Sequence, residues 1–236
     1  MDIQILIRYQ KFREATGGYL NNVFAFITTV AVDYYILVPA LILFWAVDKR
    51  AGLYSLGSWG TSVLENAGLK ATFCVYRPWI RSSEIHPLPE VIGGATGYSF
   101  PSGHASSASG FYGALIAYYR RHKALCVLFV CMVLLTMISR NYVGVHTPQD
   151  VIVGCLSGAA ATAIVVLIDR FLQKRPSLDW VIALAATAVC AGVLVYVACK
   201  SYPVDYDADG KILVDPNKMT VDSFKDPGRF FGIVWG

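Results

Sequence analysis

Two apolar runs flank a short polar island in residues 124–168, which read ALCVLFVCMVLLTMISRNYVGVHTPQDVIVGCLSGAAATAIVVLI. Each run approaches the length of about 20 residues that an α-helix needs to cross a bilayer. The island between them holds a cation, an imidazole and a carboxylate, at Arg140, His146 and Asp150. Charged groups are costly in or beside a hydrocarbon layer, so the pattern predicts two membrane helices that share a functional site at one end.

The whole chain has the composition of a membrane protein. Of its 236 residues, 56% are hydrophobic and 15% are charged, with a mean hydropathy of +0.51, which is too apolar for an ordinary soluble domain. Candidate spans lie at residues 23–47, 53–76, 102–119, 124–142, 148–168 and 180–199. We therefore predict an all-α fold, a polytopic membrane helix bundle with about six spans. The net charge of +4 is small and scattered, so no nucleic-acid partner is expected.

Three polar islands occur at the ends of the spans, at residues 70–78, 101–104 and 139–150. Counting spans puts all three on one face of the membrane. The short loops of the other face are basic, and the positive-inside rule assigns them to the cytoplasm. Their basic residues are Lys49, Arg50, Arg120, Arg121, Lys123, Arg170, Lys174 and Arg175. The islands are therefore predicted to face outward.

The remaining segments complete the predicted organisation. Residues 1–22 mix basic and apolar residues, as an interfacial helix does, and are too charged for a signal peptide. Residues 23–199 form the membrane domain that carries the site. Residues 200–228 are predicted to be a polar extracytoplasmic loop, and residues 229–236 the start of a further apolar segment or an anchor. The sequence indicates no oligomeric state.

The second island has the features of an anion site. Pro101, Ser102, Gly103 and His104 precede an apolar run, so the free N–H groups and the positive dipole end of a helix would point at this place. Proline and serine are also ordinary residues at a helix start, which is the alternative explanation. The imidazole of His104 favours a site, because it can protonate a leaving oxygen.

The third island contains a candidate nucleophile. His146 precedes Thr147 and Pro148, which can start a helix and place Asp150 in its first turn, close to His146. The carboxylate can hold one ring nitrogen and leave the other free to attack phosphorus, although Asp150 could also serve as a capping acid.

Three cations accompany these groups. Arg77 and Arg140 offer planar donor forks for phosphate oxygens, and Lys70 offers a point charge. Taken singly, each could be an interfacial cation that extends to the membrane surface.

Neither a metal nor another cofactor is predicted. The six cysteines lie in or beside apolar spans without C-x-x-C spacing, and no two of the four histidines are four residues apart. The aspartates at 205, 207 and 209 lack the glutamate that would complete a calcium loop.

The three islands together resemble the signature of the type 2 phosphatidic acid phosphatase superfamily, which includes lipid phosphatases, glucose-6-phosphatase and the soluble vanadium haloperoxidases. All three motifs match without a substitution, over about a third of the chain. The resemblance implies a metal-independent phosphatase acting through a phosphohistidine. It makes His146 the nucleophile, Asp150 its orienting partner and His104 the acid. The implied phosphate cradle is Lys70, Arg77, Ser102, Gly103 and Arg140.

Several functions stay open at this stage. The expected partners are the bilayer and a phosphorylated lipid or other phosphate ester, with the lipid favoured because the predicted pocket opens at the membrane face. The alternatives are a phosphatase of a small soluble ester, as in glucose-6-phosphatase, a lipid phosphotransferase and a non-enzymatic transporter. The apolar spans argue against a soluble haloperoxidase.

Overall fold

The computed structural model describes residues 2–30, 33–95, 97–207 and 209–235, with the side chains of Val30, Asp33 and Tyr34 left out. Helices make up most of this part of the chain, and no β-strand occurs in it. The helices are α1 Asp2–Ala15, α2 Asn21–Val30, α3 Asp33–Ile42, α4 Lys49–Phe73, α5 Pro78–Arg81, α6 Pro89–Ile92, α7 Gly103–Tyr118, α8 Lys123–Tyr142, α9 Pro148–Lys174, α10 Asp179–Cys199 and α11 Pro216–Trp235. A π-helical turn, Leu43–Val47, continues α3.

Helices cover most of each predicted span, although the first span, 23–47, corresponds to α2 and to α3 with its continuation, and it includes residues 31 and 32, which lie outside the described part. Within the described residues, three helices are both long and apolar enough to cross a membrane. These are Lys123–Tyr142 (α8), Pro148–Lys174 (α9) and Pro176–Cys199, which is α10 with the 3-10 turn Pro176–Leu178 before it. A shorter apolar helix, Tyr35–Val47, lies in α3 and its π-helical continuation. The all-α prediction is confirmed, whereas the count of six spans is supported for these three. α7 has only 16 residues, and α4 carries many serines and glycines, most of which are buried against neighbouring helices.

The centre of the bundle is a closely packed set of three helices, α4, α7 and α9, each of which contacts the other two. Small residues allow this approach. A Cβ atom at Gly158 of α9 would lie 2.4 Å from the carbonyl oxygen of Ser106 in α7. A Cβ atom at Gly110 of α7 would lie 2.8 Å from Oγ of Ser62 in α4. The three helices therefore hold the predicted islands in a fixed relation to one another.

The basic ends of these helices meet at the end of the bundle away from the islands. Arg50, at the start of α4, pairs with Asp169 near the end of α9 at 2.8 Å. Asp48 caps α4 and accepts a hydrogen bond from Tyr118 at the end of α7. The start of α4 therefore lies beside the ends of α7 and α9, as expected if successive helices run in opposite directions between the two faces of the membrane.

Helix α1 is docked on the bundle. Leu6 and Arg13 are buried, and Arg13 donates hydrogen bonds to the carbonyl oxygens of Tyr142 (3.2 Å) and His86 (2.6 Å). The helix ends at Ala15 and α2 begins at Asn21, inside the predicted segment 1–22. An interfacial position for α1 stays a prediction.

The C-terminal region differs from the expected loop. The sequence predicts a polar loop over residues 200–228, but α11 begins at Pro216 and continues to Trp235 across that boundary. Met219, Ser223, Pro227 and Phe230 are buried at helical spacing on one face of α11. The two aspartates between them, Asp222 and Asp226, make this pattern hard to recognise in the sequence. The buried face packs against α4 and α10.

Candidate active site

A polar cavity of about 270 Å³ opens where the three islands meet. Six of the eight residues predicted for the site line it: Lys70, Arg77, Gly103, His104, Arg140 and His146. The other two, Ser102 and Asp150, are buried behind the wall. The structure therefore brings together residues that are up to 76 positions apart in the sequence, from Lys70 to His146.

The local sequence holds His146 just before a well-capped helix. Thr147 is the N-cap of α9, and it forms a capping box with Asp150, whose Oδ2 accepts a hydrogen bond from the Thr147 N–H at 2.8 Å. Pro148 occupies the first turn. Asn141 donates from Nδ2 to the carbonyl oxygen of His146 at 2.9 Å. Backbone contacts on both sides thus fix the imidazole, which is 1% exposed.

Ser99 joins His146 to Asp150. Its Oγ lies 3.3 Å from Nδ1 of His146 and donates to Oδ2 of Asp150 at 2.5 Å. The direct distance from Nδ1 to Oδ2 is 3.5 Å, longer than a good hydrogen bond. Because the Ser99 hydroxyl donates its hydrogen bond to the carboxylate of Asp150, the Ser99 oxygen can accept a hydrogen bond from the Nδ1–H group of His146. The orienting contact therefore runs mainly through Ser99, and Asp150 combines it with helix capping.

The other ring nitrogen of His146 faces a guanidinium. Nη1 of Arg77 lies 2.8 Å from Nε2 of His146 and also donates to the carbonyl oxygen of Val145 at 3.1 Å. Nε of Arg77 donates to the carbonyl oxygen of Gly97 at 3.1 Å. Arginine only donates, so Nε2 is the acceptor and Nδ1 carries the proton. This tautomer leaves the lone pair of Nε2 on the cavity side.

Burial and nearby positive charge determine the ionisation of His146 and Arg77, which lie in loops between helices. Burial, with the charges of Arg77 and Arg140, holds the pKa of His146 well below its ordinary value of 6.5. His146 is therefore a neutral imidazole at pH 7, the form that can act as a nucleophile. Burial also lowers the pKa of Arg77 to about 10, which leaves it charged at neutral pH.

The guanidinium of Arg140 is held by a hydrogen bond to Thr28 of α2. Its Nη1 donates to Oγ1 of Thr28 at 2.6 Å, and both side chains are 3% exposed. Nε of Arg140 is buried and makes no hydrogen bond with the described residues. An unsatisfied buried N–H of a cation is costly, and an anion in the cavity is a suitable partner for this guanidinium.

The start of α7 completes the cavity. Ser102 caps the helix and donates its N–H to the carbonyl oxygen of Asp150 at 2.9 Å, which joins the starts of α7 and α9. A Cβ atom at Gly103 would lie 3.4 Å from Oδ1 of Asn66 and 4.0 Å from Nζ of Lys70. Ser102 therefore positions the helix, whereas Gly103 leaves room between its backbone and the Lys70 ammonium.

Helix α11 forms a wall that the sequence analysis did not anticipate. Its cavity-lining residues are Met219, Asp222, Ser223, Lys225, Asp226 and Arg229. Lys225 pairs with Asp222 at 2.5 Å, and Arg229 pairs with Asp226 at 2.8 Å. The wall thus brings both signs of charge to a cavity whose other cations come from the three islands.

Three further residues were missed by the sequence analysis. Ser99 carried no signal beyond its position just before the second island, and Thr28 lies in an apolar run. Asn66, a polar residue in the second apolar run, lines the cavity while donating to the carbonyl oxygen of Pro101 at 3.4 Å. Its half-buried neighbour Glu65 accepts a hydrogen bond from Oγ of Ser157 at 2.9 Å. The side chain of Asp33, in the first apolar run, lies outside the described part.

Comparison with known proteins agrees with this arrangement. The sequence profile of the PAP2 superfamily matches residues 51–174, more than half of the chain. The chain belongs to this superfamily. The matched part contains every predicted site residue, so the resemblance found in the three motifs is confirmed.

Three relatives illustrate the similarity. An undecaprenyl-diphosphatase of Sulfolobus acidocaldarius is 30% identical over 141 residues, which cover 59% of this chain and 66%, just under two thirds, of that protein. The crystal structure of a transmembrane PAP2-type phosphatidylglycerolphosphate phosphatase from Bacillus subtilis is 26% identical, with a TM-score of 0.59 over 72% of this chain and 85% of that one. Aquifex aeolicus LpxE is 24% identical, with a TM-score of 0.55 over 66% and 93% of the two chains, and shares the fold.

Proposed function

We propose that this PAP2 protein is a membrane phosphatase that hydrolyses a phosphomonoester or diphosphate, in particular that of a lipid, through a phosphohistidine on His146. One observation carries the proposal. His146 offers an unprotonated Nε2 to a cavity surrounded by the cations Lys70, Arg77 and Arg140, while its Nδ1 is held by Ser99. The named activities of two relatives, on undecaprenyl diphosphate and on phosphatidylglycerolphosphate, favour a lipid phosphate.

The first step is attack on phosphorus. The substrate phosphate takes over the donors of Arg77 and Arg140, which frees the lone pair of Nε2 on His146. A bond forms from Nε2 to phosphorus, and the bond from phosphorus to the leaving oxygen breaks. His104, at the start of α7, gives its proton to that oxygen. The cations stabilise the charge on the transferring group, which is the main source of acceleration in phosphoryl transfer.

The second step hydrolyses the phosphohistidine and regenerates the free enzyme. Water attacks the phosphorus of the phosphohistidine, His104 accepts a proton from it, and the bond to Nε2 breaks to release inorganic phosphate. Ser99 and Asp150 hold the imidazole in one tautomer throughout. Each step uses only side chains of this chain and water, so no metal or other cofactor takes part in the proposed reaction.

The first experiment measures phosphate release by the purified protein in detergent with excess chelator. Phosphatidate, phosphatidylglycerol phosphate, undecaprenyl diphosphate and glucose-6-phosphate form the substrate panel. His146→Ala should abolish turnover and the covalent phosphoenzyme that brief incubation with ³²P-labelled substrate traps. His122→Ala is the matched control, because His122 is exposed and lies at the other end of the bundle. Turnover by His146→Ala, or activity that needs an added divalent cation, would contradict the mechanism.

The role of His104 has a separate readout. His104→Ala should slow the hydrolysis of an alkyl phosphate far more than that of a nitrophenyl phosphate, because a good leaving group needs no proton. If the two substrates lose hydrolysis rate to the same extent, His104 is not the general acid.

A further inference from the structure

A second cavity lies beside the catalytic cavity, at the end of the bundle where the three islands meet. It has a volume of about 420 Å³ and is lined by α5, the connector from Ile92 to Gly97, the segment 211–215 and the start of α11. Its polar lining includes Lys211, Asp215 and Lys218, which are exposed. We call this cavity the outer cavity, and the two reaction steps described above do not use it.

Two buried side chains lie between the outer cavity and the catalytic cavity. Arg77 and Met219 line both cavities and are 4% and 3% exposed. Nη1 of Arg77 lies 2.8 Å from Nε2 of His146 in the catalytic cavity. Nε of Arg77 donates to the carbonyl oxygen of Gly97, which lines only the outer cavity, at 3.1 Å. One guanidinium therefore borders both spaces.

The side chain of Met219 packs on the backbone of Gly97. A Cβ atom at Gly97 would lie 2.3 Å from Sδ of Met219, and Gly97 has a φ of +67°, so glycine suits both the contact and the conformation. Methionine is unbranched and has three rotatable side-chain bonds, which lets it adapt to its surroundings. The boundary between the two cavities thus consists of a hydrogen-bonded cation and an adaptable apolar side chain.

The outer cavity has an excess of positive charge. Arg77, Lys211 and Lys218 line it with three positive charges, against the one negative charge of Asp215. Asp215 precedes α11, and its Oδ1 accepts a hydrogen bond from the Asn217 N–H at 2.9 Å. This carboxylate is therefore occupied at the positive end of the helix dipole. A cavity lined mainly by one sign of charge concentrates ions of the opposite sign, so the outer cavity favours a small anion.

Hydrolysis at His146 produces such an anion next to the outer cavity. In phosphoryl transfer the attacking and leaving atoms lie roughly in line on opposite sides of phosphorus. Arg77 contacts the attacking Nε2, so the outer cavity adjoins the side of the phosphoryl group that faces away from the leaving alcohol. A phosphate ion can move past Arg77 and Met219 without crossing the space of the alcohol. The hydrocarbon layer gives an ion no comparable exit.

We propose that the outer cavity is a second phosphate site, which binds the inorganic phosphate released at His146 before it reaches the surrounding water. The proposal rests on the phosphatase function proposed above and adds a route for its ionic product. The two lysines of this site, Lys211 and Lys218, lie outside the matched family region of residues 51–174. Arg77 belongs to both phosphate sites and connects them.

The first test counts the phosphate ions bound per chain, by equilibrium dialysis of the purified protein in detergent against ³²P-labelled phosphate. The wild-type protein should bind two ions. Lys211→Met/Lys218→Met should weaken one of the two sites about tenfold, the loss expected when two exposed charge contacts are removed. Lys70→Met should weaken the other site, because Lys70 lines the catalytic cavity and not the outer cavity.

Lys11→Met/Lys200→Met is the matched control, since it removes the same charge and neither lysine lines either cavity. This variant should bind two phosphate ions as tightly as the wild-type protein. A single phosphate site in the wild-type protein, or equal weakening in the two double variants, overturns the proposal. If the wild-type protein binds two ions but hydrolyses no phosphate ester, the outer cavity is an anion site and the proposed phosphatase function is wrong.

The second test separates phosphate release from the chemical steps in a single turnover of ³²P-labelled nitrophenyl phosphate. Alkaline quenching follows the label bound to the protein, and a fluorescent phosphate-binding protein follows free phosphate. In Lys211→Met/Lys218→Met the label should leave the protein at the wild-type rate, whereas free phosphate should appear about tenfold more slowly, because cations along a path attract the departing anion. If free phosphate appears equally fast in this variant and in the wild-type protein, phosphate leaves directly from the catalytic cavity and the proposal is overturned.

Discussion

At the scale of single residues, the site depends on how one imidazole is held. Arg77 contacts Nε2 of His146 from the cavity side, and Ser99 contacts Nδ1 from the protein side. Asp150 stabilises this arrangement through Ser99 and through the cap of α9. The capping and orienting roles considered for Asp150 are therefore compatible, because one carboxylate oxygen accepts from both Ser99 and the Thr147 N–H.

This arrangement predicts that Ser99 is a positioning residue. Ser99→Ala should lower kcat about tenfold with little change in KM, since it removes one hydrogen bond of about 1.4 kcal/mol from His146, the proposed nucleophile, and none from the cavity wall. Ser99→Thr keeps the hydroxyl group and should recover most of the activity. The measurements are steady-state kinetics and the rate of phosphoenzyme formation.

Ser106→Ala serves as the control for Ser99. Ser106 is also fully buried and donates to the carbonyl oxygen of Ser62 at 3.2 Å, but it contacts neither His146 nor Asp150 in the described structure. Its loss should affect the unfolding temperature and leave kcat close to the wild-type value. If the two alanine variants lose kcat to the same extent, Ser99 has only a structural role.

At the scale of helices, the site depends on the contact between α7 and α9. The N–H of Ser102 donates to the carbonyl oxygen of Asp150 at 2.9 Å, which fixes the second island against the third. The contact continues further along α9, where Gly158 lies against the backbone of α7. Close packing of small residues is how helices associate in a membrane, where lipid removes the hydrophobic drive to associate.

The close packing of α7 against α9 predicts that a larger residue at Gly158 destabilises the protein. Gly158→Ala should destabilise the protein by about 1–3 kcal/mol, because the new Cβ atom would lie 2.4 Å from the carbonyl oxygen of Ser106 and push the helices apart. Gly68→Ala in α4 is the control, since no atom lies within 4 Å of its Cβ position. It should be neutral or slightly stabilising. The comparison is made by thermal unfolding in detergent, and equal unfolding temperatures would count against tight packing of α7 on α9.

At the scale of the whole molecule, the polar cavity where the three islands meet and the basic loops occupy opposite ends of the bundle. The pairing of Arg50 with Asp169 holds the start of α4 to the end of α9. The positive-inside rule assigns that end to the cytoplasm. An active site on the extracytoplasmic face follows as a proposal, with substrates in the outer leaflet.

Cysteine labelling in intact cells tests this orientation. After the six native cysteines are replaced, Ser83→Cys should react with an impermeant maleimide, whereas His122→Cys should react only after lysis. Both positions are exposed and lie near opposite ends of the bundle, so they form a matched pair. Ala208, in the predicted outer loop, lies outside the described residues and is a less suitable probe. Labelling of His122→Cys alone in intact cells would put the active site in the cytoplasm.

The amino-acid sequence by itself determined the membrane class, the approximate helices, the superfamily and the set of residues that is proposed to carry the chemistry. These properties depend on local composition and on short motifs with fixed spacing, such as residues 101–104 and 139–150. Only the tertiary structure decided which groups hold these residues. Ser99 and Thr28 contact His146 and Arg140 across 47 and 112 residues, and helical packing creates such contacts without any local pattern. The same reason applies to α11, whose buried face and place beside the cavity depend on α4 and α10.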